Sequence, residues 1–325
     1  MKIVVAHGME MVEEAIAMMR EVASVVIPDD GSEETLLAEV RDADSLLIGI
    51  NPPAGRRLIA SASKLKHIAR MGVGVDSVDL EAATEHGVMV TNVPDVTSDT
   101  VAEFTLTLLL SLARNIPRCD RAVREGRWND RLDLINANTE LYGKTHGIVG
   151  LGRIGGRVAL RCKAFGMRVI YHKRTRDLDF EKSQGVEYVP FETLLHEADS
   201  ISLHTPLTDQ TRSLMGRPQF EAMKRTALLI NQSRGKVVNE RALIAALKEG
   251  LIAGYATDVY ESEPPDPQGE LFAFRNVVLT PHLGGGTRES SLRAAFTIAE
   301  DAIRIIRGDL PRHLVNKEVL ERRRR

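Results

Sequence analysis

The chain has 325 residues, a formal net charge of -2 and two cysteines. That length exceeds one ordinary domain, so two are expected. A near-neutral charge, with no basic stripe beyond the Arg322 to Arg325 run, excludes a nucleic-acid footprint, and the run itself reads as a solvated tail.

Cys119 and Cys162 each fall in a helix-like segment, which argues against a disulfide framework and for a reducing compartment. The chain starts on a strand (Ile3, Val4, Val5) instead of a charged leader, and no apolar run is long enough to span a bilayer. A soluble, cytoplasmic protein with no membrane partner is expected.

Short apolar strands at residues 2–6, 22–27, 45–50, 67–71 and 88–92 alternate with helical stretches, the pattern of a parallel α/β domain. A helix is predicted from Ser98, with Thr100 and Glu103 spaced as a capping box, through Leu106, Leu108, Leu109, Leu110 and Leu112. It is apolar nearly all round, which buries it between domains or subunits and suggests a homodimer. Strands recur at 145–149, 168–171, 200–204, 227–231, 253–257 and 276–279, giving a six-stranded doubly wound sheet. After Pro281 a glycine cluster leads into a helix over 289–307 that crosses back to the first domain. The expected fold is α/β: two Rossmann-like doubly wound domains, one (98–284) inserted in a discontinuous flavodoxin-like domain (1–97 and 285–325).

The inserted domain opens on His146-Gly147-Ile148-Val149-Gly150-Leu151-Gly152-Arg153-Ile154-Gly155, a buried strand running into a glycine turn and a helix. Gly150 allows the turn, Gly152 lets the backbone approach phosphates, and Gly155 lets the helix close on the sheet. Unpaired amides at the helix start, from Arg153 and Ile154, face an anion. A second strand follows at the expected distance, so the whole reads as a dinucleotide-binding βαβ unit.

Three more segments end strands on the carboxyl edge of that sheet, where open α/β folds bind ligands. They carry Arg234, the carboxylates Asp258, Glu261 and Glu263, and His282. Hydride delivery to a ketone builds negative charge on oxygen, so a cation must hold the substrate and a proton must arrive. Arg234 supplies a planar fork for a carboxylate and a carbonyl. His282 can give the proton, kept charged by a neighbouring carboxylate, with Glu263 preferred and Glu261 the competing choice. No metal is expected.

From its first strand to its last helix the chain resembles the D-isomer-specific 2-hydroxyacid dehydrogenases. The likeness rests on Met71-Gly72-Val73-Gly74-Val75-Asp76, Val101-Ala102-Glu103, Gly143-Lys144-Thr145 ahead of the glycine turn, Leu203-His204-Thr205-Pro206-Leu207-Thr208 through Thr211, and the three carboxyl-edge segments. The resemblance implies that the Val73 and Gly74 amides bind the substrate carboxylate and that Arg234, Glu263 and His282 are catalytic. It also implies that Asp258 meets the nicotinamide carboxamide, that Thr205 and Pro206 line the adenosine side, and that Thr100 approaches the nicotinamide end. His204, Thr211, Ser233, His282 and Gly285 complete the implied cofactor contacts.

Sites for the unphosphorylated cofactor usually place Asp or Glu after the second strand. Here His172, Lys173, Arg174 and Thr175 stand there, so NADP(H) is expected to be preferred over NAD(H). Within the family this points to a glyoxylate or hydroxypyruvate reductase acting on a small 2-keto acid. A phosphoglycerate dehydrogenase or 2-ketogluconate reductase is the alternative, and a dinucleotide-sensing corepressor a distant one.

Overall fold

The computed structural model describes residues 1–9 and 11–324; Glu10, and Arg325 of the basic run, lie outside the described residues. The chain divides into two compact units, one of Met1–Thr97 with Gly286–Arg325 and the other Ser98–Gly285.

The first unit runs β1 (Lys2–Val5), α1 (Glu13–Arg20), β2 (Ser24–Val26), α2 (Glu33–Val40), β3 (Ser45–Ile48), α3 (Arg56–Ser61), β4 (His67–Arg70), α4 (Leu80–Glu85) and β5 (Met89–Thr91). Its strands pair in the order β2-β1-β3-β4-β5, all parallel, the flavodoxin-like arrangement. Continuous apolar runs such as Ile3-Val4-Val5 and Leu46-Leu47-Ile48 are buried on both faces, as a parallel sheet requires. Val4, Leu46, Ile48 and Ile68 share one core with α2, α3 and α4, whereas Ile3, Val5, Leu47 and Ala69 face another.

The second unit begins with α5 (Ser98–Ala113), α6 (Ile116–Arg124) and α7 (Arg131–Asn136). It continues through β6 (Thr145–Val149), α8 (Arg153–Ala164), β7 (Arg168–His172), α9 (Leu178–Gln184), β8 (Glu187–Tyr188), α10 (Phe191–Glu197), β9 (Ser200–Leu203), α11 (Arg217–Ala222), β10 (Leu228–Asn231), α12 (Glu240–Lys248), β11 (Gly254–Thr257) and β12 (Val277–Leu279). The strand order is β12-β11-β10-β9-β6-β7-β8, again all parallel. The order reverses between β6 and β9, which is where such sheets open a ligand crevice. Helix α13 (Arg288–Ile306) then belongs to the first unit, where Ala294, Ala295, Ile298 and Ala302 cover the face of Ile3, Val5 and Leu47.

Several expectations need correction. The second sheet has seven strands, not six: β8 is two residues long and partly exposed, too short to carry a pattern. Thr100 and Glu103 form no capping box, because α5 already includes Ser98 and both lie inside it; Glu103 instead meets Arg161. The capping box belongs to α13, from Thr287 to Ser290. Helix α5 buries nine of its sixteen residues, mostly in one core with α8, β10 and β11 of its own unit, so its apolar face needs no second copy. Arg324 is not a solvated tail residue, since its guanidinium donates to the Ala62 and Leu65 carbonyls.

Each sheet holds a buried histidine the apolar pattern did not require. His67 on β4 bonds Ser45 Oγ and Thr91 Oγ1, both at 2.9 Å, on the flanking strands. His146 on β6 bonds Ser200 Oγ at 2.8 Å and Ser202 Oγ at 2.9 Å, and Ser202 also meets His204 Nε2 at 2.9 Å. Burial pushes His67 and His146 down to about 4 and His204 to about 3, so all three fold neutral. Between their ordinary value and these depressed ones the unfolded chain binds more protons, so stability is full above about pH 6.5 and is lost as pH falls. Stability against urea is therefore expected to fall toward pH 4 by up to about 1.4 kcal/mol per pH unit for each histidine. His146→Asn should flatten that slope; equal slopes in variant and parent would contradict the assignment.

Candidate active site

The glycine turn sits at the carboxyl end of β6. Gly150 has φ +99°, and a β-carbon there would lie 2.7 Å from the His204 carbonyl oxygen, so both backbone and packing demand glycine. A β-carbon on Gly155 would meet Gly150 O at 2.3 Å, which sets how closely α8 approaches the strand. Gly152 differs, because nothing lies within 4 Å of its would-be β-carbon. The protein leaves space there for something else. No side chain caps α8, so the amides of Arg153, Ile154 and Gly155 point outward unbonded by the helix.

A pocket of about 470 Å³ opens over this turn, lined by Gly150, Gly152, His172 to Thr175, His204 to Pro206 and Thr211. Among the described residues, His204 Nδ1 and Thr205 Oγ1 are buried without a hydrogen-bond partner. Orphaned donors beside an open glycine cradle and a free helix start are what a dinucleotide would satisfy. The residues present thus fit a nicotinamide dinucleotide. Leu151, Phe191, Gln210 and Leu214 also line the pocket and were not singled out from the sequence; Phe191 packs against the His172 ring, 5.6 Å between centroids.

The last residue of β7 and the three that follow it do different jobs. His172 Nδ1 bonds Val189 O at 3.1 Å. Lys173 Nζ donates to the Leu151 carbonyl of the glycine turn at 3.1 Å and lies 3.5 Å from Asp177. Arg174 and Thr175 are exposed at the pocket wall, and no side-chain partner holds Arg174 among the described residues.

Farther along the same carboxyl edge of the sheet, Arg234 follows β10, Asp258 follows β11, and His282 follows β12. His282 Nδ1 donates to Glu263 Oε2 at 2.6 Å, which leaves Nε2 as the exchangeable ring position. Glu263 Oε1 also accepts the Tyr260 amide at 3.0 Å. Burial pushes the Glu263 carboxyl up, but the His282 and Tyr260 bonds and the nearby Arg234 charge outweigh it and hold it below the usual carboxylate range. Arg234 Nη1 donates to Ser233 O at 2.7 Å, and Asn231 braces the segment by accepting from Ser233 and donating to Arg234 O. Glu261, the competing carboxylate, lines a different cleft.

His282 has φ +52°, a left-handed conformation uncommon for a residue with a β-carbon. Asp258 fixes it: Oδ1 accepts Thr280 Oγ1 at 2.7 Å and Leu283 N at 2.9 Å, and Oδ2 accepts Gly284 N at 2.6 Å. Three of roughly four acceptor positions on that carboxylate are thus taken by the loop, leaving one for a ligand. Sequence reasoning missed Gln232, whose Nε2 is buried and unpartnered while its Oε1 accepts from Thr105, and Tyr260, which clamps Thr280 O at 2.8 Å. Neither residue type at a strand end carries a signal by itself. Thr100 and Ser233 are buried in this same unit, which also holds Gly285. Val73 and Gly74 belong to the first unit, after β4, and Asn92 Nδ2 holds the Val73 carbonyl at 2.6 Å.

Among the described residues no group of three or more His, Cys, Asp or Glu side chains could hold a metal, and no helix is long and apolar enough to cross a membrane. The family model described as D-isomer specific 2-hydroxyacid dehydrogenase, NAD binding domain, matches residues 106–284. A glyoxylate reductase of Korarchaeum cryptofilum is 45% identical over 291 residues, covering 89% of this chain and 88% of that protein. A D-3-phosphoglycerate dehydrogenase of Methanocaldococcus jannaschii is 43% identical over 305 residues, 94% of this chain and 57% of that protein. A D-lactate dehydrogenase from Aquifex aeolicus, solved with NAD and lactic acid, superposes with a TM-score of 0.89 at 27% identity, covering 97% of this chain and 99% of that one.

Proposed function

The chain belongs to the D-isomer-specific 2-hydroxyacid dehydrogenases, and we propose that it reduces a small 2-keto acid of the glyoxylate or hydroxypyruvate type to the D-2-hydroxy acid. The observation that carries this reading is the 2.6 Å bond from His282 to a charged Glu263, with the Arg234 charge acting on the same carboxylate. The nicotinamide, when bound, supplies the hydride. Arg234 offers its fork to the substrate carboxylate and carbonyl oxygen, stabilising charge that grows on that oxygen. His282 Nε2 delivers the proton, and Glu263 fixes the orientation of the ring by accepting from Nδ1. The amides of Val73 and Gly74 can donate to the substrate carboxylate. Asp258 retains an acceptor position for the carboxamide, and Thr100, Ser233 and Gly285 complete the contacts at that end. Two unpaired cysteines agree with a cytoplasmic setting.

His282→Ala is expected to lower kcat at least about a hundredfold while dinucleotide binding, read by nicotinamide fluorescence, persists. Glu263→Gln keeps an acceptor for Nδ1 but removes the charge beside the ring, so kcat should fall about tenfold or more while dinucleotide binding again persists. Parental activity retained in either variant would refute the roles. A panel of 2-keto acids separates the leading reading from the phosphoglycerate dehydrogenase favoured by the M. jannaschii relative.

For the cofactor we propose a preference for NADPH, with NADH usable. No carboxylate stands at the His172 position, and Arg174 and Thr175 are free to meet a 2'-phosphate, whereas Lys173 is occupied with Leu151 and Asp177. Arg174→Ala should cost about tenfold or more in kcat/KM with NADPH, about 1.4 kcal/mol, and little with NADH. An unchanged ratio would remove the argument.

We further propose a homodimer. Since α5 is covered within its own unit, the support moves to Ile116, Val123, Trp128, Leu132 and Ile135 around α6 and α7, where Trp128 is 70% and Leu132 67% exposed. Sedimentation should give a dimer for the parent and a monomer for Trp128→Glu; a monomeric parent would end this proposal.

A further inference from the structure

A second concavity of the Ser98–Gly285 unit, about 700 Å³, lies between the segment entering α11 and the start of α12. It shares no lining residue with the dinucleotide pocket. Its two walls are zipped together: Ser213 N donates to Lys236 O at 2.8 Å, Met215 N to Val237 O at 3.1 Å, and Asn239 N to Met215 O at 2.9 Å. The side chains along this seam are therefore held on a common edge.

Four cations line the cleft, Arg212, Arg217, Lys236 and Arg241, against one carboxylate, Glu261. Arg217 is already satisfied, bonding Glu221 at 2.7 Å and both oxygens of Glu249 at 2.8 Å. The side chains of Arg212, Lys236 and Arg241 pair with no carboxylate among the described residues. Three unanswered positive charges and one negative leave an excess of two. Like charges gathered around a concave wall repel each other, and the cleft focuses their field on whatever enters. Val238, Ala242 and Ala245 add apolar lining. A lone inorganic ion would use the charge and leave that apolar lining bare, and the volume is that of an ordinary small-molecule site.

We propose that this cleft is a second anion site, distinct from the dinucleotide and catalytic pockets, that takes a small phosphate monoester as its dianion. The phosphate sits among Arg212, Lys236 and Arg241, and the carbon skeleton lies on Val238, Ala242 and Ala245. Glu261 opposes the ligand and tunes its affinity. This assignment needs no part of the proposed reaction, since it is read by binding alone.

The test is calorimetry on the full chain saturated with NADPH, which fills the glycine turn and the Arg174 wall, at constant ionic strength. Glycerol 3-phosphate is the probe, and inorganic phosphate the comparison. One saturable site is expected, weaker for inorganic phosphate. It should weaken at least about tenfold in the Lys236→Glu/Arg241→Glu double variant, tighten severalfold in Glu261→Gln, and stay unchanged in Arg234→Gln. Absence of saturable binding below about 10 mM, or an equal Kd in the double variant, overturns the site. Loss of binding in Arg234→Gln also overturns it, by moving the ligand to the catalytic residues. NADPH fluorescence titration verifies that each variant is folded; if the double variant fails that control, Glu261→Gln decides, and an unmoved or weakened Kd there counts against the site.

Discussion

The candidate active site depends on one buried carboxylate. Asp258 accepts three hydrogen bonds from the loop after β12, and without them His282 would have no reason to hold φ +52°. A left-handed backbone at a residue with a β-carbon costs on the order of 1 kcal/mol or more, while each hydrogen bond to a charged acceptor contributes about 1.5–3 kcal/mol. The bonds therefore win, and they also repay the burial of Asp258 itself. Turning the backbone at His282 points its ring back toward Glu263, so one carboxylate sets the main chain and a second sets the side chain. Tyr260 ties these layers together, giving its amide to Glu263 and its hydroxyl to Thr280 O.

The same division of labour recurs at the glycine turn after β6. Gly150 and Gly155 are glycine because neighbouring backbone leaves no room, whereas nothing lies within 4 Å of a β-carbon on Gly152. Lys173 reaches back to the Leu151 carbonyl and steadies that turn from the β7 side. The Ser200, His146, Ser202 and His204 chain links the interior of β6 and β9 to the pocket wall, ending at a ring nitrogen without a protein partner. A polar network inside a sheet is tolerated only when nearly every member is bonded. The single open position falls where the pocket begins.

Much of this was legible in the residues. Apolar runs on buried parallel strands are continuous, so β1, β3 and β10 announce themselves, and a glycine pattern between a buried strand and a helix is specific in a way the bare pattern is not. Arg234, Glu263 and His282 could be picked out because each follows a strand on the edge where ligands bind. What stayed hidden is set by tertiary contact. β8 is too short for periodicity, and Thr100 and Glu103 have cap-like spacing inside a helix that had already begun. Arg324 belongs to a charge run by sequence and to the Ala62 and Leu65 carbonyls by packing. The choice between Glu261 and Glu263 turned on loop geometry that spacing does not encode, and Gln232 offers no pattern at all.

The first unit is completed only by the last stretch of chain. Helix α13 covers Ile3, Val5 and Leu47, and Asn316 binds Val90 N, Val88 O and Thr84 Oγ1 beside β5. During synthesis that face of the first sheet has only α1, through Ala15, Ile16 and Met19, to cover it while the contiguous Ser98–Gly285 segment is made. At ordinary elongation rates of roughly 5–20 residues per second, the interval is on the order of 10–40 s. Until α13 arrives, the side of the first sheet that it completes stays partly open, and the nascent chain carries an apolar surface that chaperones are suited to shield.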